Sequence, residues 1–306
     1  MAADAILRSY GDSSRKESVM PLVEILTATE KQIINMVSKS RAIDTIHSTL
    51  ADTLRTAASQ AVAEADDFTM LATTTPVRFT NLVEIVAVPF GVSRIQAQIQ
   101  HHHGENELQR QTTSALLDWG NAAEFDFVRS TLVSGVSGTI PKMAGLIAHI
   151  SKGTNTTVQT SGTVWSASIM KGLMKANLDN SNGDVATDMF MGSWLKNATD
   201  DFVNKSTNVV TGSNQTEIVL AVDVFQTGLG KLKVHFHRYV QQSTDLTGRV
   251  LAINPDKHSM AVLEETYIDK DLARSGPYDK RAVVGAFTLA TRNKDSNLFA
   301  SGYAIA

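Results

Sequence analysis

The sequence contains no cysteine. Disulfide staples, thiol nucleophiles and cysteine-ligated metals are therefore excluded. It also lacks any apolar run of roughly 18 residues, the length a membrane-spanning helix needs. The first ten residues include Asp4 and Arg8 and have no apolar core, so no secretory signal is expected. Without one, the Asn-x-Ser/Thr triplets at Asn155, Asn197, Asn204 and Asn214 carry no weight as glycosylation sites. There is no basic excess: 28 Lys and Arg stand against 31 Asp and Glu, a net charge of −3. Dedicated nucleic-acid binders usually carry the opposite balance. If nucleic acid is a neighbour, charge neutralisation is not how this chain holds it.

The common catalytic signatures are missing as well. Gly230-Lys231 is followed by Leu232 and leads into a strand pattern, so it is a hairpin turn and not a phosphate loop. Gly135-Val136-Ser137-Gly138 has the wrong spacing for a nucleophile elbow. No His-Glu-x-x-His occurs, and His235-x-His237 has no evident third ligand. Three adjacent histidines, His101 to His103, cannot all face one ion from a regular element and read as a solvated turn. The carboxylate pairs Asp66/Asp67, Asp200/Asp201 and Glu264/Glu265 sit in polar contexts and read as solvated faces. No period of about 20–50 residues repeats, which argues against solenoids and propellers. The expectation is a chain without catalytic centre, cofactor or metal.

What the sequence does have is a long helix-compatible stretch from Gly104 to Val133. Acidic residues open it, where they complement the helix dipole. Leu108, Thr112, Ala115, Leu116, Trp119, Ala122, Ala123 and Phe127 follow at steps of three and four. Glu107, Arg110, Asp118 and Asn121 fall on the opposite face. Thirty residues would span about 45 Å, and the Gly/Ser-rich turn up to Pro141 ends the run. Such a rod suits either a flat, extended subunit or an ordinary enzyme core.

In chain order, residues 1 to 18 read as an extended polar arm, and Val19 to Ser38 as an amphipathic helix. Arg41 to Arg55 alternates like a strand, with further strands at Val77 to Phe79 and Leu82 to Val88. Together these form a long hairpin with a polar tip and little nearby sequence to cover it. An exposed ribbon of this kind is an aggregation hazard unless another chain covers it. Lys142 to Ile150 reads as a buried strand or hinge and Gly153 to Gly162 as a loop. Ser166 to Leu178 is a predicted helix, Met189 to Gly192 a strand and Trp194 to Phe202 a helix. The last hundred residues read as sheet: Glu217 to Phe225, a Gly228/Gly230 turn, then Leu232, Val234 and Phe236 inward with Lys233, His235 and His237 outward. Arg249 to Ile253, Met260 to Ile268, Ala282 to Thr291 and Leu298 to Ala304 complete it.

The order and spacing of several short motifs resemble the major capsid proteins of tailed bacteriophages, with the Hong Kong 97-type fold. Thr45-x-His47, Asp52-x-Leu54, Glu64 and Arg78-x-x-Asn81-x-x-x-Ile85 look like that family's extended-loop strands. Gly104-x-x-Glu107-Leu108-x-x-Gln111 is similar to the opening of its spine helix, and Met143 to Ile147 to the entry into its axial domain. Asp223-Val224-Phe225, Gly230, Val234 and Arg238-Tyr239 resemble its peripheral hairpin. Val250 to Asp256 and Gly285 to Leu289 resemble its closing strands. Glu264 departs from the pattern where a basic residue is common, and Ala286 where an acidic one is frequent.

The resemblance implies an α+β fold with an N-terminal arm (1–40) and an extended hairpin loop (41–90). A peripheral domain would take 91–135 and 215–306, with the spine helix at 104–133, and an axial domain would take 136–214. It implies hexamers and pentamers of this chain in an icosahedral virion shell, assembled in the host cytoplasm around double-stranded DNA contacted non-specifically. A separate scaffolding protein, a portal and decoration proteins are the further partners, with no membrane. Subunit contacts are expected at Arg8, Arg15 and Lys16 in the arm and at Arg55, Glu64, Asp66 and Asp67 at the hairpin tip. An encapsulin-like compartment and a cytoplasmic hydrolase are the alternatives.

Overall fold

In the computed structural model the described residues are 31–304, apart from 53, 56, 63, 65–69, 72, 100–105, 137, 152–155, 182–183, 206–223, 243–244, 246, 271 and 274–275. The His101 to His103 run and the arm up to residue 30 lie outside them. The elements in order are α1 (Gln32–Met36), β1 (Ser38–Arg41), β2 (Ile46–Ala51), β3 (Val77–Leu82), β4 (Glu84–Ser93), α2 (Arg94–Gln98) and α3 (Glu107–Arg129). Then come α4 (Leu146–Ser151), β5 (Thr156–Thr163), α5 (Ala167–Asn180), β6 (Asp188–Met191) and α6 (Ser193–Lys205). Strands β7 (Val224–Thr227), β8 (Gly230–Phe236), β9 (Gly248–Ile253), β10 (His258–Asp269), β11 (Tyr278–Thr291) and β12 (Leu298–Tyr303) close the chain.

Two sheets share one apolar core. The first has the order β1-β10-β11-β4 and the second β5-β12-β9-β6-β8-β7. Helix α3 lies against the first sheet, with Ala123, Phe127 and Val128 buried beside Val86, Phe287 and Leu289. The same cluster takes Phe190, Leu251, Ile253 and Phe299 from the second sheet, so α3 is wedged where the sheets meet. Each such side chain contributes about 1.5–3 kcal/mol on leaving water. The far face of the second sheet is covered by α5 and α6. There Met170, Leu173 and Met174 recur at helical spacing against Met189, Leu232, Val250 and Tyr303.

Helix α3 is shorter than the 104–133 expectation. Asn106 caps it, its side chain accepting from the Leu108 N–H, and Ser130 leaves helical geometry at ψ 142°. Its 23 residues span about 35 Å. Beyond Ser130 the chain doubles back through a Val133–Lys142 bridge, and the Gly145 N–H donates to the Ser130 carbonyl at 2.8 Å. A Cβ on Gly145 would lie 2.8–3.0 Å from the α3 backbone, so glycine is what permits this return.

Several expectations need correction. Of the predicted 19–38 helix, the described part is helical only over Gln32–Met36 and turns to strand at Ser38. Strand β3 pairs with β2, Ile46 opposite Leu82 and Ala51 opposite Val77, whereas β4 pairs with β11 in another sheet. The predicted ribbon thus ends at Val83. The segment predicted as buried strand or hinge is buried but enters helix α4 at Leu146, and the predicted 153–162 loop contains β5, a Thr-rich edge strand parallel to β12. His237 is fully buried and not outward, and Phe236, expected inward, is exposed, because β8 ends at Phe236 and its alternation does not continue beyond it. The division expected at 214/215 cuts through one sheet: β5 and β6 share it with β7, β8, β9 and β12.

At the start of β10 His258 is buried, its Nε2 2.9 Å from Asn297 Oδ1 and its Nδ1 3.2 Å from Thr291 Oγ1. Burial pushes its pKa down to about 4. Between pH 6.5 and 4 the unfolded chain therefore binds this proton and the folded chain does not. The contribution of His258 is complete above pH 6.5 and lost as pH falls towards 4, about 3 kcal/mol in all. In acid-unfolding titrations, His258→Gln is expected to lose less stability between pH 7 and 4 than the parent, by roughly that amount.

Candidate assembly interface

The ribbon β2–β3 is fastened at its root and free beyond it. Asn81, on its inner face, is buried. Its Nδ2 donates to the carbonyls of Ala144 at 2.9 Å and Leu289 at 3.0 Å, and its Oδ1 accepts from Ala144 N–H at 2.8 Å. One primary amide thereby joins the ribbon to β11 and to the segment after α3. Thr49 Oγ1 donates to the Thr291 carbonyl at 2.6 Å, and Lys294 Nζ sits 5.2 Å from the centre of the Phe79 ring. Next to this root, Glu84 accepts from Met143 N–H at 3.1 Å. Burial first, and Asp126 second, push the Glu84 carboxyl above the usual carboxylate range.

Because strand side chains alternate, the outer face carries Ile46, Ser48 and Leu50 beside Arg78 and Thr80. Ile46 and Leu50 are more than half exposed. Beyond the strands, Leu54 is 98% exposed and Met70 94%. Thr74 Oγ1 bonds Asp52 Oδ1 at 3.2 Å across the two limbs, so the ribbon continues past its last strand pair. An apolar, uncovered ribbon of this kind is a surface that awaits a partner.

Of the residues predicted to make contacts, Arg55 and Glu64 lie on this outer segment and are exposed. Arg8, Arg15, Lys16, Asp66 and Asp67 lie outside the described residues. His235 and His237 each have their own carboxylate. His235 Nε2 is 3.0 Å from Asp188 Oδ1, and His237 Nε2 is 2.9 Å from Glu124 Oε1. Among the described residues no three His, Asp or Glu side chains are grouped as metal ligands. Nor is any helix there long and apolar enough to cross a membrane.

Sequence reasoning missed Glu124 and the burial of its partner His237. A signal was present: Glu124 follows Ala123 directly, within the apolar stripe that ends at Phe127.

Comparison with known proteins agrees with this geometry. Residues 7–304 match the SU10 major capsid protein family. The chain belongs to that family. It is a phage major capsid protein, a component of the virion shell, where it assembles with copies of itself. No curated protein matches it. Among solved structures it is similar to the capsid of a native GTA particle, at 11% identity, with 97% of each chain covered and a TM-score of 0.69. It is also similar to a Mycobacterium phage Bobi chain, at 10% identity, covering 94% of this chain and 95% of that one, with a TM-score of 0.61. The holo-SrpI encapsulin of Synechococcus elongatus PCC 7942 shares the fold as well, at 8% identity, with 95% and 94% covered and a TM-score of 0.64.

Two substitutions separate folding from assembly. Leu50→Asp is expected to change the unfolding free energy of the free subunit by no more than about 0.5 kcal/mol, since the site is exposed, while particle yield in light scattering collapses. Asn81→Ala strands buried backbone groups on two segments and should cost about 2 kcal/mol or more in denaturant unfolding.

Proposed function

We propose that this capsid protein forms hexamers and pentamers that tile an icosahedral head around packaged double-stranded DNA, and that its role is mechanical and not catalytic. The uncovered ribbon carries this reading, because its outer face gains an apolar contact only from another chain. Residues 1–40 act as the arm and 41–90 as the extended hairpin. Helix α3 with the β1-β10-β11-β4 sheet forms the peripheral domain, and the six-stranded sheet forms an axial domain larger than 136–214, taking in β7, β8, β9 and β12.

The ribbon lies over a neighbour in the same capsomer, with Arg55, Glu64, Asp66 and Asp67 in polar contacts. Arg8, Arg15 and Lys16 bridge subunits from the arm. Lasting interfaces often bury about 2,000 Å² or more in total. In a closed shell each later contact is effectively intramolecular, so individually modest contacts add up. A separate scaffolding protein directs assembly, and a portal and decoration proteins complete the particle. The net charge of −3 suits DNA that is enclosed but not gripped.

The likeness to an encapsulin favours a second reading, a compartment with protein cargo. Purified particles decide between them: absorbance ratios typical of packed nucleic acid support the head, and nucleic-acid-free particles with a co-purifying protein support the compartment. For the ribbon, deletion of residues 56–67 is expected to leave a soluble subunit that forms no shells in size-exclusion chromatography and negative-stain microscopy. Intact particles from that deletion would refute its assigned role.

A further inference from the structure

The side of α3 turned towards α1 holds a carboxylate cut off from water. Glu124 and His237 are both fully buried. The Tyr239 N–H donates to His237 Nδ1 at 3.2 Å. With Nδ1 engaged as acceptor, Nε2 carries the proton and donates to Glu124 Oε1. The same carboxylate accepts two more hydrogen bonds, from Ile33 N–H to Oε1 at 2.8 Å and from Ile34 N–H to Oε2 at 3.1 Å. These are first-turn amides of α1, whose own cap residue, Lys31, makes no side-chain cap bond. A helix of five residues does not hold itself in water. Glu124 therefore provides, from another element, the acceptor that a Ser or Asp cap would have provided. One turn earlier in α3, a Cβ on Gly120 would overlap the end of the Lys31 side chain, so glycine makes the room for it.

We propose that the Glu124–His237 pair is the anchor of the N-terminal arm. The α1–β1 segment opens as one unit when the anchor is lost, with β10, β11 and β4 of the first sheet and all of the second still folded. A buried carboxylate is tolerated only while its donors are in place. Two of the three donors belong to α1, so the body and the arm base hold each other in a closed arrangement or not at all. The other attachments are the core side chains Ile33 and Val37, with Ile34 packed beside them, and the edge pairing of β1 with β10, its single partner, to which Ser38 and Ser40 add side-chain bonds. Segments with few such ties are the ones that open below the global unfolding free energy. The inference rests on the isolated subunit and not on the shell reading.

The test is native-state hydrogen exchange of the full-length, unassembled subunit, followed by mass spectrometry on fragments covering 31–41 and 282–291. In the parent, amides of the first fragment are expected to exchange through an opening that leaves the second protected. Glu124→Gln turns one acceptor oxygen into a donor, and His237→Phe removes the third hydrogen bond while keeping a ring. Each should speed exchange in 31–41 at least tenfold and leave 282–291 unchanged. Equal acceleration of both fragments in a variant would make the pair an ordinary part of the core and overturn the proposal. So would parent amides in 31–41 that exchange only at the rate of 282–291. The parent measurement decides even if a variant fails to fold.

Discussion

The Asn81 amide is the constraint on which the molecule's shape depends. A ribbon can project from a subunit only if its root is held more firmly than its shaft. Here one side chain uses both amide hydrogens and its carbonyl to reach two separate backbone segments, Leu289 in β11 and Ala144 after α3. A hydrophobic contact at the same place would hold the root with less directionality, since burial has no preferred angle. A desolvated amide with partners on both segments tolerates one geometry and penalises the rest. The ribbon is therefore aimed as well as attached.

Around that root the body is a wedge. Helix α3 belongs to both sheets through one continuous core, and its far end is pinned by Arg129, whose two guanidinium nitrogens bond Asp245 at 2.9 and 3.1 Å. Arg249 reaches the same carboxylate at 3.2 Å from β9. The rod thus ties the first sheet to the second. Its C-terminal half serves the core through Ala123, Phe127 and Val128, and Arg129 at its end serves the joint.

Much of this was legible in the sequence, for identifiable reasons. The 3.6 period of Ala115, Trp119, Ala123 and Phe127 survives in any helix with one buried side, so α3 could be read. The free ribbon could be read from strands with nothing local to cover them. What failed were inferences from alternation carried past the end of a strand, as at His237. Chemistry that only tertiary structure supplies also stayed hidden. Nothing within 31–37 announces that its helix cap comes from residue 124. The strand at Thr156–Thr163 was obscured by its Thr, Ser and Gly content, which reads as a loop until β12 lies beside it. Strands distant in sequence, β6 and β12 among them, complete one sheet, which no local pattern announces.

The bare outer side of the ribbon also bears on the life of the protein before any particle exists. A subunit with Leu54 and Met70 open to solvent is a perishable species, and its lifetime shortens as its concentration rises. Supply and consumption must then be matched in time: copies made faster than shells close go to precipitate or to proteolysis. The feature that drives construction also sorts its raw material, because only a chain that finds a neighbour promptly persists.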